Sequence, residues 1–104
     1  MEPTVLAVFS STEFEENVFR RAVELAAERG ARLVLLDVRH LRRALEEFAR
    51  RARARGLAVE TVTVKGGYAD SVLAVAREVS AHTVVMEHRP EARAVRGPFE
   101  AVRV

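Results

Sequence analysis

Ser10, Ser11, Arg39, His40, Glu87, His88 and Arg89 are the side chains of this 104-residue sequence most able to do chemistry together. Each group follows directly on an apolar run, which places it where a separate strand would end. In an open α/β sheet those carboxyl ends form the ligand crevice, at the point where strand order reverses. Two histidines, two arginines and two hydroxyls there could hold an anion. Solvated strand ends are the plainer account, because such ends are polar in any sheet. Glu13, Glu15 and Glu16 also oppose a phosphate, since they already occupy the positive end of the first helix.

Catalytic readings fare worse. Cysteine is absent, which excludes disulfides, thiolate metal sites and cysteine nucleophiles. His40, His82 and His88 lack the spacing that zinc sites use on one element, and a metal held by His40, His88 and Glu87 has little to recommend it. Neither Ser10, Ser11 nor any other serine sits in a Gly-x-Ser-x-Gly elbow. Asp37 lies inside an apolar run and reads as a solvent-side or hydrogen-bonded residue rather than an acid catalyst. No metal and no catalytic residue is expected, and an enzyme of unknown reaction ranks third among the functions considered.

Arg39 to Arg55 carries seven arginines against two glutamates, superficially a nucleic-acid patch. Spacing favours a solvated helix face instead. Glu46 can pair with Arg42 and Arg50, and Glu47 with Arg43 and Arg51, all at i±4. Exposed aromatics that could stack bases are missing. The net charge of +2 is small, so nucleic acid is not an expected partner. Sixteen arginines beside the lone Lys65, with Asn17 the only carboxamide, suit a thermophile or a GC-rich genome.

The elements that must position these residues alternate between two periodicities. Residues 1–104 make one domain. Thr4 to Phe9 is a continuous apolar run, as in a strand buried on both faces. Thr12 and Glu15 have capping-box spacing and open a helix whose stripe is Phe14, Val18, Ala22, Leu25 and Ala26. Gly30 ends it, and Leu33 to Val38 is the second strand. Leu41, Leu45, Phe48 and Ala52 form one face of a second helix that Gly56 closes. Ala58 to Lys65 is a third strand with the partial alternation of a sheet edge. Gly66-Gly67 turns into a third helix carrying Val72, Leu73, Ala76 and Val79 inward. His82 to Met86 is a fourth strand and Phe99 to Val104 a short fifth. Strand and helix in alternation predict a doubly wound, mostly parallel sheet. A receiver-like flavodoxin fold would need an acidic cluster after the first strand, which Ser10-Ser11 does not supply. No run approaches the roughly 20 apolar residues of a membrane span. Met1-Glu2-Pro3-Thr4 lacks a basic signal region, so a cytoplasmic location without membrane partners is expected.

Leu25-Ala26-Ala27-Glu28-Arg29-Gly30-Ala31-Arg32-Leu33 and Gly66-Gly67-Tyr68-Ala69-Asp70-Ser71-Val72-Leu73-Ala74-Val75-Ala76, followed by His82-Thr83-Val84-Val85-Met86-Glu87, resemble in order and spacing a universal stress protein domain. That resemblance covers about residues 4–87 and weakly 99–104. It implies a Rossmann-like, adenine nucleotide alpha hydrolase-like fold with strand order 3-2-1-4-5. It also implies a stress-response binding or regulatory role. ATP is the ligand of many such domains, but three positions depart from their pattern. Phe9 stands where an aspartate helps hold adenosine. Glu87 and Pro90 stand where the first two glycines of the phosphate loop belong. A glutamate there repels phosphate and a proline removes a backbone donor. Val38 and Met86 keep the form of adenine-contact positions. Only 11 residues separate Glu87 from Phe99, so the fourth helix must be shortened or missing.

Two functional expectations result. The first is a non-enzymatic stress-response module with impaired or absent ATP binding and no cofactor. The second is a nucleotide-binding protein using a rebuilt site at Ser10, Val38, Met86, His88 and Arg89. The final strand carries an assembly expectation of its own. Edge strands invite pairing, and these domains commonly pair that strand with its twofold mate. A homodimer through Phe99, Val102 and Val104 is therefore expected.

Overall fold

Thr4–Phe9 (β1) is buried along its whole length, as its lack of alternation requires of a strand covered on both faces. The computed structural model describes residues 2–39 and 42–104. Helix α1 (Glu15–Arg29) follows, then β2 (Arg32–Asp37), α2 (Arg42–Ala54), β3 (Val59–Thr63), α3 (Tyr68–Glu78), β4 (Thr83–Met86) and β5 (Glu100–Arg103). A short 3-10 turn, Pro90–Ala94, lies between β4 and β5. The sheet runs β3-β2-β1-β4-β5 with every neighbouring pair parallel, which is the predicted order.

The crossovers divide the core in two. On one face α1 and α2 pack Val18, Phe19, Ala22, Leu45 and Phe48 against Val5, Ala7, Phe9 and Leu35. On the other, α3 and the 3-10 turn pack Val72, Val75, Ala92 and Val95 against Leu6, Val8, Leu36 and Met86. Right-handed crossovers demand this split: two leftward steps from β1 share a face, and the return to β4 uses the opposite one. The 3-10 turn occupies the place of a fourth helix.

Several expectations need correction. The capping box does not form: α1 starts at Glu15 behind Phe14 and has no side-chain cap, so Thr12 is too far upstream. Phe14 is the one exposed large apolar residue described, at 38%. Phe19 and Val23 complete the buried stripe in its stead. The strands are shorter than Ala58 to Lys65, His82 to Met86 and Phe99 to Val104 by one to three residues. Leu41 lies outside the described residues. Gly30 does end α1, at φ 61°, where a Cβ would be strained.

Residues 87–99 resolve into a crossover. Ala92 and Val95 are buried, and the chain returns to lay β5 parallel to β4 with Val84 opposite Ala101. The Glu100 N–H donates to His82 O at 2.9 Å and the Val104 N–H to Met86 O at 2.9 Å. Among the described residues no helix is long and apolar enough to cross a membrane.

Candidate functional site

Because β1 and β4 are parallel neighbours with Ala7 opposite Val85, their carboxyl ends emerge side by side. Ser10 and Ser11 leave one strand and Glu87 the other. The Glu87 side chain turns inward and is only 5% exposed. Ser10 Oγ donates to its Oε1, Ser11 Oγ donates to its Oε2 at 2.8 Å, and Arg89 Nη1 donates to Oε1 at 3.3 Å. A buried carboxylate is tolerated only when its oxygens are satisfied, and these three donors satisfy both. Hydroxyls and a guanidinium converging on one oxyanion are also what a phosphate would require.

Arg89 is fixed from three sides. Its Nε and Nη2 donate to the two oxygens of Glu91 at 3.1 and 2.7 Å, and its guanidinium lies 5.0 Å from the centre of the Tyr68 ring. Its hydrogen bonds hold the Glu91 carboxyl down at about 2. The Tyr68 hydroxyl is buried and finds no partner among the described residues. Burial pushes it up to about 12, against the opposing pull of Arg89, so the phenol stays neutral.

The open space left at these strand ends is about 260 Å³, lined by Ser10, Val38, Arg39, Gly66, Tyr68 and Arg89. Pockets for small ligands generally begin near ~300 Å³. Asp37 forms the floor of the neighbouring turn. Of the two places expected for it, solvent-side or hydrogen-bonded, it takes the second: it is fully buried and its Oδ1 accepts the Arg39 N–H at 2.7 Å. Its Oδ2 is buried without a partner among the described residues.

No protein-family model and no curated protein matches the sequence. Solved structures do. A universal stress protein family structure from Burkholderia pseudomallei aligns over 97% of this chain and 94% of its own, at 22% identity and a TM-score of 0.85. This chain has the universal stress protein fold. A universal stress protein from Archaeoglobus fulgidus in complex with dAMP aligns over 99% and 97%, at 22% identity and TM-score 0.79. Another universal stress protein, in complex with cAMP, aligns over 99% and 96%, at 20% identity and TM-score 0.76.

Within the universal stress protein fold, the residues singled out from sequence separate into groups. Ser10 and Arg89 meet at Glu87, and Val38 lines the same space while its N–H donates to Phe9 O at 3.2 Å. Met86 is wholly buried in the core beside α3 and does not reach that space. His88 points elsewhere: its amide donates to Val104 O at 3.0 Å, and its side chain lines a different hollow beside β5. His40 lies outside the described residues. Among those described, no three His, Asp or Glu side chains cluster as metal ligands would. Arg51 does not close an ion pair with Glu47. It reaches across to α1, donating to Glu16 at 2.9 and 2.7 Å while lying 4.6 Å over Phe19.

Tyr68 and Glu91 were not foreseen. The Gly66-Gly67 turn was the available signal for Tyr68, because it sets the first residue of α3 at the level of the strand ends. Nothing local marked Glu91 as the clamp on Arg89.

Proposed function

We propose that this chain is a non-enzymatic binding or regulatory module of the universal stress protein type, acting in the cytoplasm in a stress response. In this reading its own carboxylate closes the nucleotide crevice. The carrying observation is Glu87, held by Ser10, Ser11 and Arg89 at the junction of β1 and β4. The donors that would take a phosphate already hold an anion, and a second negative charge beside it would be repelled. Phe9, fully occupied in the opposite core, offers adenosine no acceptor. Thermal unfolding with ATP, ADP, AMP and cAMP tests this reading. A ligand at 100 times its dissociation constant would stabilise the fold by roughly 2.7 kcal/mol. No shift is expected with AMP or cAMP, which carry no chain of linked phosphates, and a clear rise with either would overturn the reading. The second reading, a nucleotide binder with a rebuilt site at Ser10, Val38 and Arg89, draws on the fold-mates bound to dAMP and cAMP.

Assembly as a homodimer along β5 belongs to the same proposal. Phe99, Val102 and Val104 are half-buried against the chain's own core, leaving part of each for a partner. The N–H groups of Glu100 and Val104 face β4, so those of Ala101 and Arg103 face the open edge. Ala101→Pro removes an outward donor and spares the inward ladder. Light scattering should find a dimer for the native chain and a monomer for this variant. A native monomer would contradict it.

A further inference from the structure

The crossover that replaces the fourth helix leaves a second feature on the β5 side of Arg89. His88, Arg89, Pro90, Arg93, Arg96 and Arg103 surround a hollow of about 430 Å³, inside the roughly 300–1,000 Å³ range of small-ligand pockets. Among the described residues no acidic side chain lines it. Glu87, Glu91 and Glu100 are the acids of this segment, and each is engaged elsewhere: Glu87 by the serines and Arg89, Glu91 by Arg89, and Glu100 by Arg29 at 2.9 Å. Arg93, Arg96 and Arg103 have no carboxylate partner among the described residues. Two of them are anchored through backbone carbonyls. Arg96 Nε donates to Arg93 O at 3.2 Å, and Arg103 Nη2 donates to Ala92 O at 3.4 Å. Each guanidinium keeps most of its five N–H groups for a ligand.

We infer that this hollow is a binding site for a small, multiply charged phosphate ligand, separate from the closed crevice. Guanidinium forks match phosphate oxygens in pairs, and several around one cavity favour two or more linked phosphates over a single carboxylate. Arg89 stands between the two regions but is already committed to Glu87 and Glu91. The site therefore rests on Arg93, Arg96 and Arg103, with His88 at its rim.

Calorimetric titration of the full chain with sodium tripolyphosphate at low salt tests the inference. Arg93→Ala/Arg96→Ala should weaken binding at least tenfold. Arg50→Ala/Arg55→Ala, an equal loss of exposed charge on α2 and the turn that follows it, should change it less than twofold. Both pairs are exposed, and circular dichroism checks that each variant folds. An ATP arm separates the sources of the phosphates: equal affinity assigns the bare phosphate chain, and tenfold tighter ATP assigns a nucleotide tail. Absence of saturable binding would overturn the inference. So would equal weakening by the two double variants, or loss of binding on Ser10→Ala.

Discussion

The two faces of the sheet are built to different standards. One is covered by α1 and α2, of 15 and 13 residues, and by packed aromatics: Phe48 stacks 5.3 Å from Phe9 and lies tilted 4.7 Å from Phe19. Arg51 seals that cluster from outside, over both Phe19 and Phe48 and onto Glu16. The other face has an 11-residue α3 and a five-residue 3-10 turn, whose Ala92 and Val95 do the covering. A parallel strand needs both faces shielded, but a full helix is not required beside a four-residue β4 and a four-residue β5. The economical face is also where the chemistry departs from the fold's pattern, since Glu87, Arg89 and the arginine hollow all lie on the shortened crossover.

Phe48→Ala should produce the largest effect, because it opens a cavity where three rings meet. A loss of about 3–5 kcal/mol is expected in urea unfolding. A loss below about 1 kcal/mol would show that the aromatic face is not the stronger one. Val95→Ala on the thin face should cost about 2 kcal/mol by the same measurement. An equal cost for both substitutions would erase the contrast.

The smallest effect is a pH dependence. Hydrogen bonds from Arg51 hold the Glu16 carboxyl down to about 2 from its ordinary 4.5. A depressed folded value means the contribution is complete above the unfolded value and is lost as pH falls toward the folded one. The pair is partly exposed, so solvent screening limits it to below about 1 kcal/mol. Urea midpoints should therefore fall more steeply between about pH 4.5 and 2 for the native chain than for Glu16→Gln. Parallel slopes would show that the pair contributes nothing.

What could be read in the sequence was what local physics determines. Gly30 and the Gly66-Gly67 turn marked two crossovers, and continuous apolar runs marked strands covered on both sides. Strand order then put Ser10, Ser11, Glu87 and Arg89 on one rim. Their mutual arrangement was less accessible, because Ser10 and Glu87 are 77 residues apart. Glu87 was legible as a charge that repels phosphate, but not as a carboxylate turned inward onto the donors. Asp37 could be read only as solvent-side or hydrogen-bonded for a related reason: the choice between them depends on the turn that delivers the Arg39 amide. The capping box failed because Thr12-Glu15 spacing says nothing of where the helix begins. His88 was grouped with Arg89 by adjacency, but of the two only Arg89 also reaches Glu87 and the space at the strand ends.

The most direct test of the closed crevice is amide NMR with ATP added to the native chain and to Glu87→Ala. Removing the carboxylate frees Ser10 and Ser11 and releases Nη1 of Arg89, whose Nε and Nη2 stay on Glu91. The variant should show saturable shifts at the Ser10 and Ser11 amides, and the native chain should leave those two unmoved at the same concentration. Equal perturbation of Ser10 and Ser11 in both proteins would contradict the account, as would a variant in which neither residue responds.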